Sequence, residues 1–305
     1  MSRYIGRRLL QVVPTLLIIV TAVFLMLYVA GDPVVLMLGD EATPEQIASL
    51  REALGLNEPL HVQYGTYLAN VLQGDFGMSY RYGLDALPIV LERLPATLML
   101  AASSLIFAVV VSVPLGIWSA VHRGGRLDAV ISGLSVLAKA MPNFWLGIML
   151  ILLFAVTLKW LPVSGTGSWG HLVLPTIALG TGVSAEITRL VRSSMLDVLG
   201  QDFIRTARGK GLSSRVVLYR HALRNVFVPV SSITLLQFTG LLNGALVTEA
   251  VFAWPGMGQL LVSSITQRDM AIVQAAVFTV AVMVIVVNLA TDVAFKLADR
   301  RIQLS

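Results

Sequence analysis

Apolar and polar residues in this chain are segregated into long blocks. Apolar runs cover residues 9–30, 96–121, about 143–158, about 172–190, about 226–248 and about 272–295. Their typical length approaches the ~20 residues that cross a hydrocarbon core of ~30 Å. The pattern predicts an all-α polytopic membrane protein with six transmembrane helices. The first run holds 22 residues and follows Arg3, Arg7 and Arg8. A signal peptide has a shorter apolar region and a small-residue cleavage site, so an uncleaved first helix is expected. Pro114 and Gly116 inside the second run are tolerated where neighbouring helices satisfy the freed backbone groups. Lys139 and Pro142 interrupt the third, leaving 128–142 as an interfacial segment or a kinked part of that span.

Two polar blocks stand out. Residues 31–94 contain nine acids and three arginines. Within them, Thr43-Pro44-Glu45-Gln46 supplies an N-cap, a proline at the first helical position and a capping-box glutamine. A short helix should run to about Leu54 and end at Gly55. A second should run from Leu60 to Leu72, stopped by Gly74. The expectation is a small extramembrane helical subdomain between the first and second spans.

The second block is Asp202–Pro229, with six Arg or Lys residues. Asp202 reads as the N-cap of a helix from Phe203 to Lys210, with Gly211 ending it in a left-handed conformation. Arg208 and Lys210 fall in the last turn, where the helix dipole favours cations. Phe203, Ile204 and Ala207 form one apolar edge. Such a helix is marginal alone and needs something to pack on. A basic loop on anionic headgroups is one reading, and a helix that docks on a partner is the other. The cap, edge and glycine favour the partner, because a lipid-bound loop needs none of them.

Composition sharpens this picture. The 305 residues are 56% hydrophobic and 13% charged, about half the ~25% charge of a soluble domain. Six spans put both termini on one side. That side collects sixteen Lys and Arg against five opposite, with Lys139 unassigned. The positive-inside bias places both termini in the cytoplasm and the 31–94 block outside. The spans read as nearly free of mid-span charge, which argues against a secondary transporter or channel. A non-transporting membrane scaffold would give no reason for a glycine-capped docking helix. In-span polar residues, Asn143, Thr181, Ser184, Gln237, Asn243, Asn288 and Asp292, are expected mainly in helix–helix hydrogen bonds. Asn143, Gln237 and Asn243 are also candidate pore residues, and Glu249 a candidate gate or mouth residue.

Much chemistry is missing. There is no cysteine and no G-x-x-x-x-G-K-[ST], so the chain should neither bind nor hydrolyse ATP. His61, His122, His171 and His221 are scattered, which predicts no metal site. No nucleophile elbow is present. The chain is expected to be no enzyme.

The Asp202–Pro229 block resembles the EAA loop of ABC importer permeases. Arg205-Thr206-Ala207 occupies the E-A-A triplet, Gly211 the glycine, and His221 and Leu223 the isoleucine and leucine. Arg224 stands where that pattern has proline. The R-T-A-R-x-K-G-L form is the version of peptide and nickel permeases. The likeness runs nearly end to end with the B-type permease of the dipeptide/oligopeptide/nickel family. It includes Ala53–Leu60 (ALGLNEPL), Gly74–Ser79 (GDFGMS), Leu94–Leu98 (LPATL) and Val251–Gly258 (VFAWPGMG). Arg268-Asp269-Met270-Ala271 departs from the family's R-D-Y-P and predicts a change in the loop before the last helix.

The resemblance implies a type I ABC importer permease fold in a bacterial inner membrane. Residues 1–30 would be the cytoplasmic tail and first helix, 31–95 a periplasmic subdomain, and 96–305 a five-helix core. Its ATPase-docking loop would be 195–225, with contacts from Phe203, Ile204, Arg205, Ala207, Arg208, Gly211, His221, Leu223 and Arg224. The implied partners are a second homologous permease, two ATPase subunits, a periplasmic binding protein and membrane lipid, with no nucleic acid. The chain would bind no cofactor, since ATP and magnesium would sit on the ATPases. Di- and oligopeptides are the leading substrates, with nickel complexes, glutathione or opines as alternatives.

Overall fold

The structure, a computed structural model, describes residues 2–30, 34, 38, 43–53 and 55–298. Leu54, most of 31–42 and the tail cations Arg300 and Arg301 lie outside the described residues. The helices are α1 (Ser2–Ala30), α2 (Pro44–Ala53), α3 (Leu60–Gln73), α4 (Ala86–Val121), α5 (Arg126–Ala140), α6 (Asn143–Leu150), α7 (Gly170–Leu199), α8 (Asp202–Gly209), α9 (Leu223–Phe252), α10 (Met257–Gln267) and α11 (Met270–Ala298). Two π-helices interrupt this series. One, Ile151–Thr157, continues α6. The other, Val217–Ala222, precedes α9. Among the described residues, extended pairing is limited to one bridge, Met78 with Asp85.

Among the described residues, three helices are long and apolar enough to cross a membrane: α4, residues 229–252 of α9 and residues 270–293 of α11. One bent helix pair is long and apolar enough to make a fourth span or a re-entrant loop. Its halves, Arg126–Ala140 and Asn143–Thr157, meet at 105°. Pro142 has no N–H to continue the helix and disfavours a helical Met141, and Met141 is extended (φ −78°, ψ 129°). So 128–142 belongs to a sharply bent helix pair. In α1 the apolar stretch is Leu10–Met26. α7 has 30 residues, or ~45 Å, and continues beyond the expected end at residue 190. α4 starts at Ala86, within the block read as extramembrane.

The chain packs as two compact units, Met1–Pro95 with Gly256–Val286, and Ala96–Pro255 with Val287–Ser305. In the first, the capping box forms as its sequence predicts. Gln46 N–H donates to Thr43 Oγ1 at 3.3 Å, and Thr43 N–H to Gln46 Oε1 at 2.9 Å. Gly74 (φ +77°) ends α3. α3 is held to α1 by a 2.6 Å Thr21–Tyr64 hydrogen bond and by Phe24 against Tyr64 and Tyr67. Ser79 donates to buried Asp269, while Tyr80 and Arg81 donate to Gln267. The Met270-Ala271 substitution falls in the first turn of α11, where Asp269 Oδ1 accepts from Ile272 N–H at 3.4 Å. The backbone turns at Arg268 (φ +61°).

In the second unit α7 touches α4, α5, α6 and α9. Small residues permit the closest crossing. A Cβ on Gly116 would lie 2.6 Å from Val191 Cβ and 2.8 Å from Thr188 O. One on Gly180 would lie 2.8 Å from Ser104 O. At the far end of α7, Arg192 Nε and Nη2 donate to the two Asp128 oxygens at 2.7 and 2.8 Å. Ser119 Oγ and Gly124 N–H also donate to that carboxylate. Asp128 is buried, and its lone pairs are filled. This fixes the 122–125 turn, and with it the ends of α4 and α5, against α7.

Two outcomes follow for the purified complex in thermal unfolding. Asp128→Ala strands Arg192 and should destabilise by about 2 kcal/mol, the scale of a lost charged hydrogen-bond set near a helix end. The pair Asp128→Leu/Arg192→Met should recover part of that loss. Gly116→Ala should destabilise by about 1–3 kcal/mol through overpacking against Thr188 and Val191.

Candidate functional site

The short helix α8 follows α7 after only Gly200 and Gln201. Its start corrects one expectation. Gln201, not Asp202, is the extended residue before the helix, and no side chain caps it. Asp202 lies in the first turn, where its charge suits the dipole, and its carbonyl accepts from Thr206 Oγ1 at 3.0 Å. The end is as predicted. Gly211 takes φ +78°, Leu212 N–H reaches Ala207 O at 3.3 Å, and Gly211 N–H reaches Arg208 O at 2.9 Å. That is a Schellman termination.

The apolar edge divides. Ile204 and Ala207 are buried in a core cluster with Ile117, Val191, Met195, Val217 and Val226. Ala207 therefore packs against this chain's own core. Around Gly211 a Cβ would meet nothing within 4 Å; its positive φ is what requires glycine. Arg205, Thr206, Arg208 and Lys210 are exposed, and Phe203 is 39% exposed. These form the outward face. His221 lies in the π-helix, and its carbonyl accepts from Asn225 Nδ2 at 2.7 Å. Leu223 packs on the same core, and Arg224 is exposed.

Beside α8 is an open cleft of about 510 Å³. It is bounded by Val121 and Arg123 of the α4–α5 turn, Leu196 and Leu199 of α7, and Arg208, Arg215 and Leu218. Its floor is apolar and three guanidinium groups rim it. Electrostatically, this end of the unit suits an acidic, partly apolar protein surface.

The candidate pore residues separate as well. Asn143 lies where α6, α7 and α9 meet. Its side-chain oxygen is 3.6 Å from the Cβ position of Gly182, and its nitrogen 3.4 Å from that of Gly244. Asn243 is exposed. Glu249 is fully buried and faces no open surface. Gln237 stands beside Glu186. Thr239 Oγ1 donates to Asn288 Oδ1 at 2.7 Å, a helix–helix bond of the expected kind, whereas Thr181 Oγ1 bonds back to Ile177 O in its own helix.

Glu186 is the group that sequence reasoning missed. Lys139 Nζ donates to Glu186 Oε2 at 2.6 Å, and both side chains are partly open, 51% and 36% exposed. The spans are thus not free of charge: α7 carries Glu186, Arg189 and Arg192 within its length, and the latter two are not loop cations. The partners are 47 residues apart, so no local spacing could pair them. The detectable signal was a glutamate inside a 30-residue helical run. Among the described residues no His, Asp and Glu group could hold a metal ion.

Comparison with known proteins accounts for this arrangement. Residues 112–304 match the family model of the binding-protein-dependent transport system inner membrane component, and residues 1–101 match its N-terminal companion. The glutathione transport system permease protein GsiC of Salmonella choleraesuis is 43% identical over 296 residues, 97% of each chain. The Escherichia coli K12 protein of the same name is 40% identical over the same share. In fold, the chain resembles a chain of the inward-facing MetNI methionine ABC transporter. There the TM-score is 0.56 at 19% identity, covering 70% of this chain and 97% of that one. The chain belongs to the binding-protein-dependent inner membrane components, the permease subunits of bacterial ABC importers.

Proposed function

We propose that this permease forms half of the translocation path of an importer for small peptides, with glutathione as the first substrate to test. The relatives named as glutathione permeases cover 97% of the chain at 40–43% identity, which supports glutathione ahead of other peptides or nickel complexes. A second permease completes the path, two ATPases hold ATP and magnesium, and an external binding protein delivers the substrate. The 31–94 block faces outward, while α8 and both termini face the cytoplasm, in line with a cation bias that is still fourteen to five once Arg189 and Arg192 are assigned to α7.

The observation that carries the coupling role is the wedging of α8. Ile204 is fully buried and Ala207 nearly so, so α8 cannot roll or bend away when pushed. Phe203, Arg205 and Arg208 face outward into an ATPase cleft. ATP-driven closure of the ATPases moves α8 and α7 as one lever and biases a two-state bundle.

The reconstituted complex tests both parts. ATP-driven uptake should be largest for glutathione among glutathione, dipeptides and nickel chelates. Nickel uptake without peptide uptake would overturn the substrate reading. For coupling, Gly211→Val should uncouple ATP turnover from uptake, because a β-branched residue at positive φ costs roughly 1–2 kcal/mol. Gly211→Asn, which tolerates that conformation, should retain coupling. Arg208→Glu should weaken ATPase association by about tenfold, equivalent to ~1.4 kcal/mol, and the loss should be smaller in high salt.

A further inference from the structure

Lys139 and Glu186 pair between α5 and α7 in the second unit. Asp128 bonds Arg192 near the start of α5 and in the last two turns of α7. From that end, Lys139 is thirteen residues beyond Arg126 and Glu186 thirteen before Leu199. Each therefore stands ~20 Å along its helix. Ionised groups within a membrane-spanning bundle are not left facing lipid; they pair, or face a water-filled path. The two groups bond each other, yet each keeps open surface. α5 ends one residue later at the 105° break, so no further helical turn of α5 covers Lys139.

The contrast with Asp128 is informative. Every oxygen of Asp128 is occupied by a fixed donor, whereas Lys139 has two further ammonium protons to give. Gln237 stands beside Glu186 with an amide that can both donate and accept. Arg189, one turn along the same face of α7, is exposed and leaves the group one cation in excess.

A ligand with a single charge would release one member of the pair and strand it, which is strongly unfavourable away from water. A zwitterion replaces both partners at once. We infer that Lys139, Glu186 and Gln237 form a transit subsite for zwitterionic peptides, with Lys139 taking a carboxylate and Glu186 the ammonium group. Arg189 favours a peptide with a second carboxylate. The inference rests on the peptide-import reading and deepens it by assigning the site its chemical selectivity.

The complete permease pair with its ATPases, in nanodiscs and without binding protein, isolates this subsite. Labelled glutathione should bind saturably. Glu186→Gln and Lys139→Gln should each weaken binding about tenfold, equivalent to ~1.4 kcal/mol. N-acetylated glutathione should bind weakly to the wild type and be indifferent to Glu186→Gln, while Glu186→Asp should retain most affinity for the free peptide. Absence of saturable binding, or equal loss for free and N-acetylated peptide in Glu186→Gln, overturns the subsite. ATP-driven glutathione uptake by the wild type, measured in parallel in liposomes, separates the two failures. Uptake without nanodisc binding sinks the subsite alone; absence of any peptide uptake sinks the import reading and the subsite with it.

Discussion

A buried carboxylate has to be satisfied where it sits, and Asp128 sets the terms for the end of the molecule that carries α8. Its four donors come from α4, the 122–125 turn and α7. Satisfying them fixes where α7 ends. Since only two residues separate α7 from α8, α8 inherits its position from this ion pair. Ile204 then seats it against Met195 and Val226. The stiffness that the proposed coupling requires thus comes from one saturated charge and one apolar wedge, not from the helical propensity of eight residues.

α5 carries Asp128 and Lys139 eleven residues apart, three turns along one face. Both reach α7, with opposite polarity. At one end the acid belongs to α5 and the base to α7; further along, the roles reverse. The first pair is closed by Ser119 and Gly124, and the second is open on one side. Burial and saturation, rather than the presence of an ion pair, distinguish a structural bond from a reactive one.

Local backbone chemistry was readable along the chain. Thr43 with Gln46, Gly74 and Gly211 each acts through neighbours within five residues, and each does what its spacing implies. Pro142 announced a break but not an angle, because the 105° depends on what α6 packs against. Asp202 failed as a cap because Gln201 takes the extended conformation one residue earlier. The inward turn of Ala207 was illegible because a helix of eight residues shows an apolar edge without saying which body it faces. Glu186 and Lys139 escaped notice for a related reason: charges in apolar runs gain meaning from a partner, and theirs is 47 positions away.

The π-helix at Val217–Ala222 has a consequence for the tolerance of this loop to insertion and deletion. A π-turn holds one residue more than an α-turn with little added rise. Removing a residue there would let the wide turn close to an α-turn, with the flanking faces nearly in phase. The same deletion inside the α-helical part of α9 would instead rotate everything before it by about 100°, and Ile204 would leave its pocket although no residue of α8 had been touched. The six π-helical residues are thus slack that absorbs a change of length, while the regular turns of α9 set the aim of α8.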